Sequence, residues 1–262
     1  MHVAEWKAEL ALGFERVGER TLLAQRVSQG PLVVQKPLYP EGPAVCHTIV
    51  VHPPGGVAGG DQLVLGVKSE GHALLTTPGA AKWYRSVGPW AKQKLSFDVH
   101  GALEWLPRET IVFDGALAEV ECEVNLGAQA RYIGWEIVCL GRTGSGESFS
   151  RGRLRMHTRV VKEGKLLWFE RGEIEGGAAL MRSHTVLGGH TVFGTLVATC
   201  DAGEKIAQCR ALAPSTSLPG LVVARYLGDS TEAAFSAFSS LWALLRPSVV
   251  AREAVPPRIW CT

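Results

Sequence analysis

The chain is short of the features that announce a chemistry. None of its six cysteines, Cys46, Cys122, Cys139, Cys200, Cys209 and Cys261, forms a C-x-x-C pair, and Cys46-His47, His52, His184 and His190 match no four-ligand zinc spacing. Scattered thiols of this kind are expected to stay reduced and buried. There is no H-E-x-x-H and no G-x-S-x-G, so zinc-protease and serine-hydrolase sites have no anchor. Charge of one sign is missing too: 27 Lys and Arg face 25 Asp and Glu, a net +2, which gives no overall pull toward nucleic acid or an anionic membrane.

Long apolar runs are also absent. Gly42 to Gly60 and Ser183 to Cys200 carry no charge, but the first holds three prolines and five glycines and the second three glycines and two histidines, so both fit buried soluble structure rather than a membrane span. Glu5, Lys7, Glu9 and Glu15 leave no apolar signal-peptide core, and a cytoplasmic protein is expected. No repeat is visible at periods of 20 to 50 residues and no linker divides the chain, so one domain over residues 1–262 is expected. What is abundant is glycine (30) and proline (14), which together exceed the roughly 12% of average usage and favour many short elements over a helical bundle.

The hydrophobic period is two through most of the chain. Trp6, Ala8, Leu10, Leu12 and Phe14 alternate with charged residues, as do Gln93 to Val99 and Ala118 to Val124, which predicts half-buried strands. Thr48 to Val51 and Ile133 to Leu140 are apolar on both faces and predict strands inside stacked layers. Near the C-terminus the period lengthens. Asp201 with Glu204, and Asp229 with Glu232, have capping-box spacing; they predict a helix with Ile206, Cys209 and Leu212 on one face, and another with Phe235, Phe238, Trp242 and Leu245 ending at Arg246 and Pro247. The expected fold is mainly β, with stacked mixed sheets and two α-helices near the C-terminus.

The run His52 to Asp61 is rich in glycine, but its last glycine is followed by Asp61, which would repel phosphate, rather than by the Lys and Ser or Thr of a P-loop. Arg151, Arg153, Arg155, His157 and Arg159 share one strand face, without the interleaved aromatics of a single-strand nucleic-acid platform. Three carboxylates stand out: Asp61 in parity with Leu63, Leu65 and Val67; Glu136 with Tyr132, Val138 and Leu140; and Glu170 closing Leu166 to Phe169. An acid aimed into apolar company needs an arginine, a hydrated passage or a cation.

Pro37-Leu38-Tyr39-Pro40-Glu41-Gly42, Cys46-His47, the His52 to Asp61 run, Thr76 to Ser86, Leu103-Glu104-Trp105-Leu106-Pro107, Trp135-Glu136, Cys139 to Arg142, Gly146 to Phe149 and Pro257-Arg258-Ile259-Trp260 follow one another in an order that resembles the urease accessory protein UreD family, also called UreH. The likeness runs from about Leu10 to Trp260. It implies a non-catalytic helper with a mainly β fold that binds the urease apoprotein and a UreF-type protein, through which a UreG-type GTPase joins; the balanced charge and the lack of a membrane span lead us to expect no nucleic-acid or membrane partner. It implies nickel in transit and no tightly bound cofactor. By position, Asp61, Glu136 and Glu170 match polar residues of a proposed nickel passage, with Cys46 and His47 as weaker metal candidates. Carboxylates with water suit a conduit, since nitrogen and sulfur sites hold nickel strongly. The rival expectation is a hydrolytic or ligand-binding enzyme using the Gly55 to Asp61 turn, which needs a general base beside a nucleophile in a closed pocket.

Overall fold

The computed structural model describes residues 6–261. In chain order the strands are β1 Lys7–Val17, β2 Arg20–Gln29, β3 Val33–Val34, β4 Val45–Val51, β5 Gly56–Val57, β6 Gln62–Ser69, β7 His72–Thr76, β8 Ala81–Trp83, β9 Ala91–Val99, β10 Ala102–Leu106, β11 Thr110–Val112, β12 Leu117–Leu126, β13 Arg131–Leu140, β14 Arg153–Lys162, β15 Lys165–Glu175, β16 Val192–Ala198, β17 Ser215–Leu218 and β18 Leu221–Gly228. The helices are α1 Ala179–Arg182, α2 Lys205–Leu212 and α3 Thr231–Val250. Strands make up half of the structure and helices 15%, so the mainly β expectation holds; the single turn α1 has no counterpart in the sequence reading.

Two sheets stack. The first has seven strands in the order β15-β14-β12-β9-β6-β1-β2, and the second has eleven, with β17-β18-β16-β13-β10-β7-β4-β3 as its spine. Both are parallel in the middle and antiparallel at the ends, hence mixed, as expected. The parallel middle arises because the chain coils. β6, β9 and β12 lie side by side in the first sheet, and each passes through a short arch to β7, β10 and β13 in the second, with Ser69, Val99 and Leu126 in register before the arch and His72, Ala102 and Arg131 after it. A three-rung solenoid exists without a matching sequence repeat, because each rung conserves only alternation and a turn, not residue identity.

The arches are close-stacked. Gly101 is fixed by its neighbour: a Cβ there would lie 2.2 Å from the Gly71 carbonyl oxygen and 2.4 Å from that of Glu70, one rung below. Between the sheets lies one core, built from Leu10, Phe14, Leu65, Leu95, Phe97, Trp105 and Leu154. A second core lies between the other face of the second sheet and α3, where Trp135, Ile137, Leu196, Phe238, Leu241, Trp242 and Leu245 meet. This covering helix is why β13 is apolar on both faces.

Several local expectations need correction. The α3 cap is Ser230, whose hydroxyl oxygen accepts the Ala233 N–H at 3.1 Å, while Asp229 accepts from the Thr191 N–H and contacts His190. The cap of α2 is Glu204 without a side-chain bond, and Asp201 accepts from the Gly220 N–H instead. Leu212 is exposed. Proline does not stop α3 either: the helix runs through Pro247 to Val250. Proline removes one helical bond and disfavours helix at Arg246. Burial of Leu245, Val249 and Val250 and an ion network at Arg246 hold the last turn nonetheless. α3 is long and apolar enough to cross a membrane, but it is here a core helix packed on a sheet.

The basic stripe is not bare. On the outer face of the first sheet Arg153 and Arg155 pair with Glu175 and Glu173 of β15, His157 stands 3.9 Å from Glu121 of β12, and Lys92 and Lys94 of β9 approach Glu119 and Glu121. The arginines therefore fill one column of a charge ladder that lets a parallel sheet leave one face in water.

Candidate functional site

Cross-strand register brings the polar residues together. In the second sheet Glu136 of β13 stands opposite Thr195 of β16, which stands opposite Arg225 of β18. In the first sheet Cys122 of β12 stands opposite Thr158 of β14, which stands opposite Glu170 of β15. Residues in register share a face, so each set is a row across its sheet. The two rows face each other across the inter-sheet gap. All but Arg225 line one cavity of about 110 Å³, whose other walls include Trp105, Tyr132, Leu154, Met156 and Val160.

Glu136 and Glu170 differ in company. Glu136 has its Oε2 shut away from solvent with no protein partner. Burial raises its pKa to about 7, partly offset by the nearby Trp105 indole N–H. The facing Cys122 thiol is held protonated, first by burial and then by the Glu136 charge. Glu170, at the outer end of its row, has partners at both oxygens: Oε1 takes a hydrogen bond from the Arg225 guanidinium and Oε2 one from the Thr195 hydroxyl at 3.2 Å.

A second cavity, of about 280 Å³, extends from the far side of Glu136. Glu136 and Trp105 line both cavities, and the second continues along Leu63 and Leu65 to His52 and the Gly55 to Val57 turn. His52 has its Nε2 buried without a partner, and burial depresses its pKa against the opposing charge of Asp61. Asp61 keeps the parity of Leu63 but lies one residue before β6. Its Oδ2 turns back to accept the Ala58 N–H at 2.8 Å, so it closes the loop and lines neither cavity. The glycines of that loop have a packing reason, since a Cβ on Gly56 would sit 2.2 Å from the Tyr84 ring and one on Gly59 equally close to Ser86 Oγ.

Cys46 and His47 are neighbours on one strand and therefore face opposite ways. Cys46 lies in the inter-sheet core beside Thr48, and burial raises its thiol pKa. His47 turns to the other side, with Nε2 2.6 Å from Glu41 Oε1. Among the described residues no three His, Cys, Asp or Glu converge as a metal cage.

Sequence reasoning passed over a third group. Glu104 is fully buried and takes hydrogen bonds from Arg246 Nε and Nη2, both at 3.0 Å, and from Trp242 Nε1 at 2.5 Å, with His72 Nε2 at 2.7 Å. Arg246 also donates to both oxygens of Glu41 at 2.7 Å. Trp260 meets Phe235 and Trp242 edge-on and Trp135 at a tilt, and donates to Thr76 Oγ1. Much of the text that carries the family resemblance, from Glu41, His47, Thr76 and Glu104 to Trp260, thus serves to bind α3 to the second sheet.

A family model described as UreD urease accessory protein matches residues 7–261. The chain belongs to the UreD urease accessory protein family. Among its relatives, the urease accessory protein UreD of Dechloromonas aromatica is 50% identical over 277 residues, spanning 100% of this chain and 96% of the relative. That of an Azoarcus species is 47% identical, with 100% and 97% covered, and that of Nitrosococcus oceani is 46% identical, with 98% and 90% covered. The UreD match thus takes in both sheets, both cavities and α3.

Proposed function

We propose that this chain serves urease maturation as a non-catalytic scaffold in the cytoplasm, assembling with the urease apoprotein and a UreF-type protein that brings a UreG-type GTPase, and that nickel in transit crosses its interior. The observation that carries the passage is the polar seam between two apolar sheets: Glu170 at the rim, Glu136 at the waist shared by both cavities, and His52 beside Asp61 at the other end. A carboxylate oxygen left without a partner inside a core is costly, and a hydrated cation route gives it one. Oxygen donors without a closing set of nitrogen or sulfur ligands hold nickel loosely enough to release it. An enzyme using the glycine loop finds less support, because the loop's glycines and Asp61 are engaged in packing and turn closure.

The test is nickel content of urease matured in cells carrying Asp61→Ala, Glu136→Gln or Glu170→Gln, each checked for assembly with the UreF-type protein. Reduced loading with intact assembly is expected for Glu136 and Glu170, which line the seam, and for Asp61 through the charge it sets beside His52. Wild-type loading in all three would overturn the passage.

A further inference from the structure

The row that begins at Glu136 ends in a cation. Arg225 lies outside the cavity wall, yet its Nη1 bonds two residues of that wall, Glu170 and Thr195 Oγ1, the latter at 2.7 Å, and its guanidinium stacks 5.4 Å over the Trp168 ring. In this arrangement a fixed positive charge stands at the mouth and both oxygens of Glu170 are occupied. A divalent ion arriving there meets repulsion and has to compete for a carboxylate that already holds a guanidinium and a hydroxyl. We infer that Arg225 is an electrostatic latch: its guanidinium closes the rim by holding Glu170, and a cation can use Glu170 only after Arg225 has moved off it.

The side chain is built to move. The Arg225 side chain is 46% exposed and that of Glu170 31%, so swinging away loses a solvent-exposed ion pair and uncovers no buried charge. Exposed pairs of this kind are weak, which suits a contact that has to open. Arg225 acts through Glu170, not on the ion, and is thus a positioning residue. This role rests on the passage proposed above.

The experiment is equilibrium binding of Ni²⁺ to this chain in complex with its UreF-type partner. Arg225→Gln is expected to tighten binding at least about tenfold, because one nearby positive charge is removed and one carboxylate freed. Arg225→Lys, which keeps the charge, should bind as wild type, and Arg225→Gln with Glu170→Gln should return to the wild-type level. Equal affinity for wild type and Arg225→Gln, or a gain that survives loss of Glu170, overturns the latch. Arg225→Met provides the same charge removal if the Gln variant does not fold. The two ideas fail separately: if Glu136→Gln lowers nickel loading while Arg225→Gln leaves binding unchanged, the passage stands and the latch falls. If no interior acid affects loading, the passage itself falls.

Discussion

Arg246 clasps Glu104 at two points, Nε to Oε2 and Nη2 to Oε1, each at 3.0 Å, and neither side chain has any exposure to solvent. The partners come from the C-terminal helix and a central solenoid strand. Removing one takes a two-point partner from the other and leaves a buried charge held by its remaining neighbours, His72 and Trp242 for Glu104 or Glu41 for Arg246. Arg246→Met or Glu104→Leu alone should therefore lower stability by about 3–5 kcal/mol, as for other broken buried pairs. Urea unfolding measures this, and a loss below about 1 kcal/mol would show that the pair does not secure α3.

Acid should release the same clasp. Burial pushes the Glu104 carboxyl up, but His72 and Arg246 outweigh it and bring its pKa to about 2, below the ordinary 4.5. A depressed acid contributes stability that is complete above 4.5 and lost as the pH falls toward 2. Melting temperature should thus drop steeply below pH 4.5 in the wild type. Glu104→Gln, less stable throughout, should show a flatter profile; parallel curves would contradict the assignment.

Glu136 should behave in the opposite sense. Its pKa is raised from 4.5 to about 7, so the unfolded chain gives up this proton before the folded one does. The group therefore favours the folded state least at high pH: stability falls as pH rises from 4.5 to 7 and the penalty is constant above. Glu136→Gln should match wild type at pH 4 and exceed it at pH 8 by about 1–3 kcal/mol. A variant less stable at pH 8 would mean that the carboxylate is well solvated.

The arches predict a sharp contrast between two glycines. Gly101→Ala places a methyl against backbone oxygens of the neighbouring rung, which cannot step aside, and should cost about 3 kcal/mol or more. Gly144→Ala, with nothing within 4 Å and no left-handed backbone, should stay within about 0.5 kcal/mol of wild type. Thermal melts of the two variants decide it; equal values would argue against tight stacking of rungs.

Period two in the sequence located β1, β9 and β12, since alternation records burial directly, and a run apolar on both faces located β13. It could not reveal that β6, β9 and β12 lie side by side, because register is set between strands distant in sequence and leaves no local mark. Capping text was misplaced by one residue at α3, where Ser230 and Asp229 were both competent and the neighbouring Thr191 claimed the aspartate. Pro247 misled because tertiary burial outweighed a local penalty.

Of the site, the apolar neighbours of Glu136 and Glu170 were legible, but their shared cavity and the Thr195 and Arg225 that join them were not. Asp61 shows the limit of parity: one residue outside the strand, its side chain answers to the turn instead. The apolar stripe predicted for the C-terminal helix was legible too, but not its partner: it is spent against the second sheet.

The bond between positions 104 and 246 has a temporal side. A ribosome making this chain lays down the acid early and its counter-charge 142 residues later. Until α3 is made, the outer face of the second sheet lacks its apolar cover, and Glu104 has His72 but not the Arg246 guanidinium beside it. The native packing of that face therefore cannot form before residue 246 has been made, because Arg246 and the α3 stripe that cover it come late in the chain.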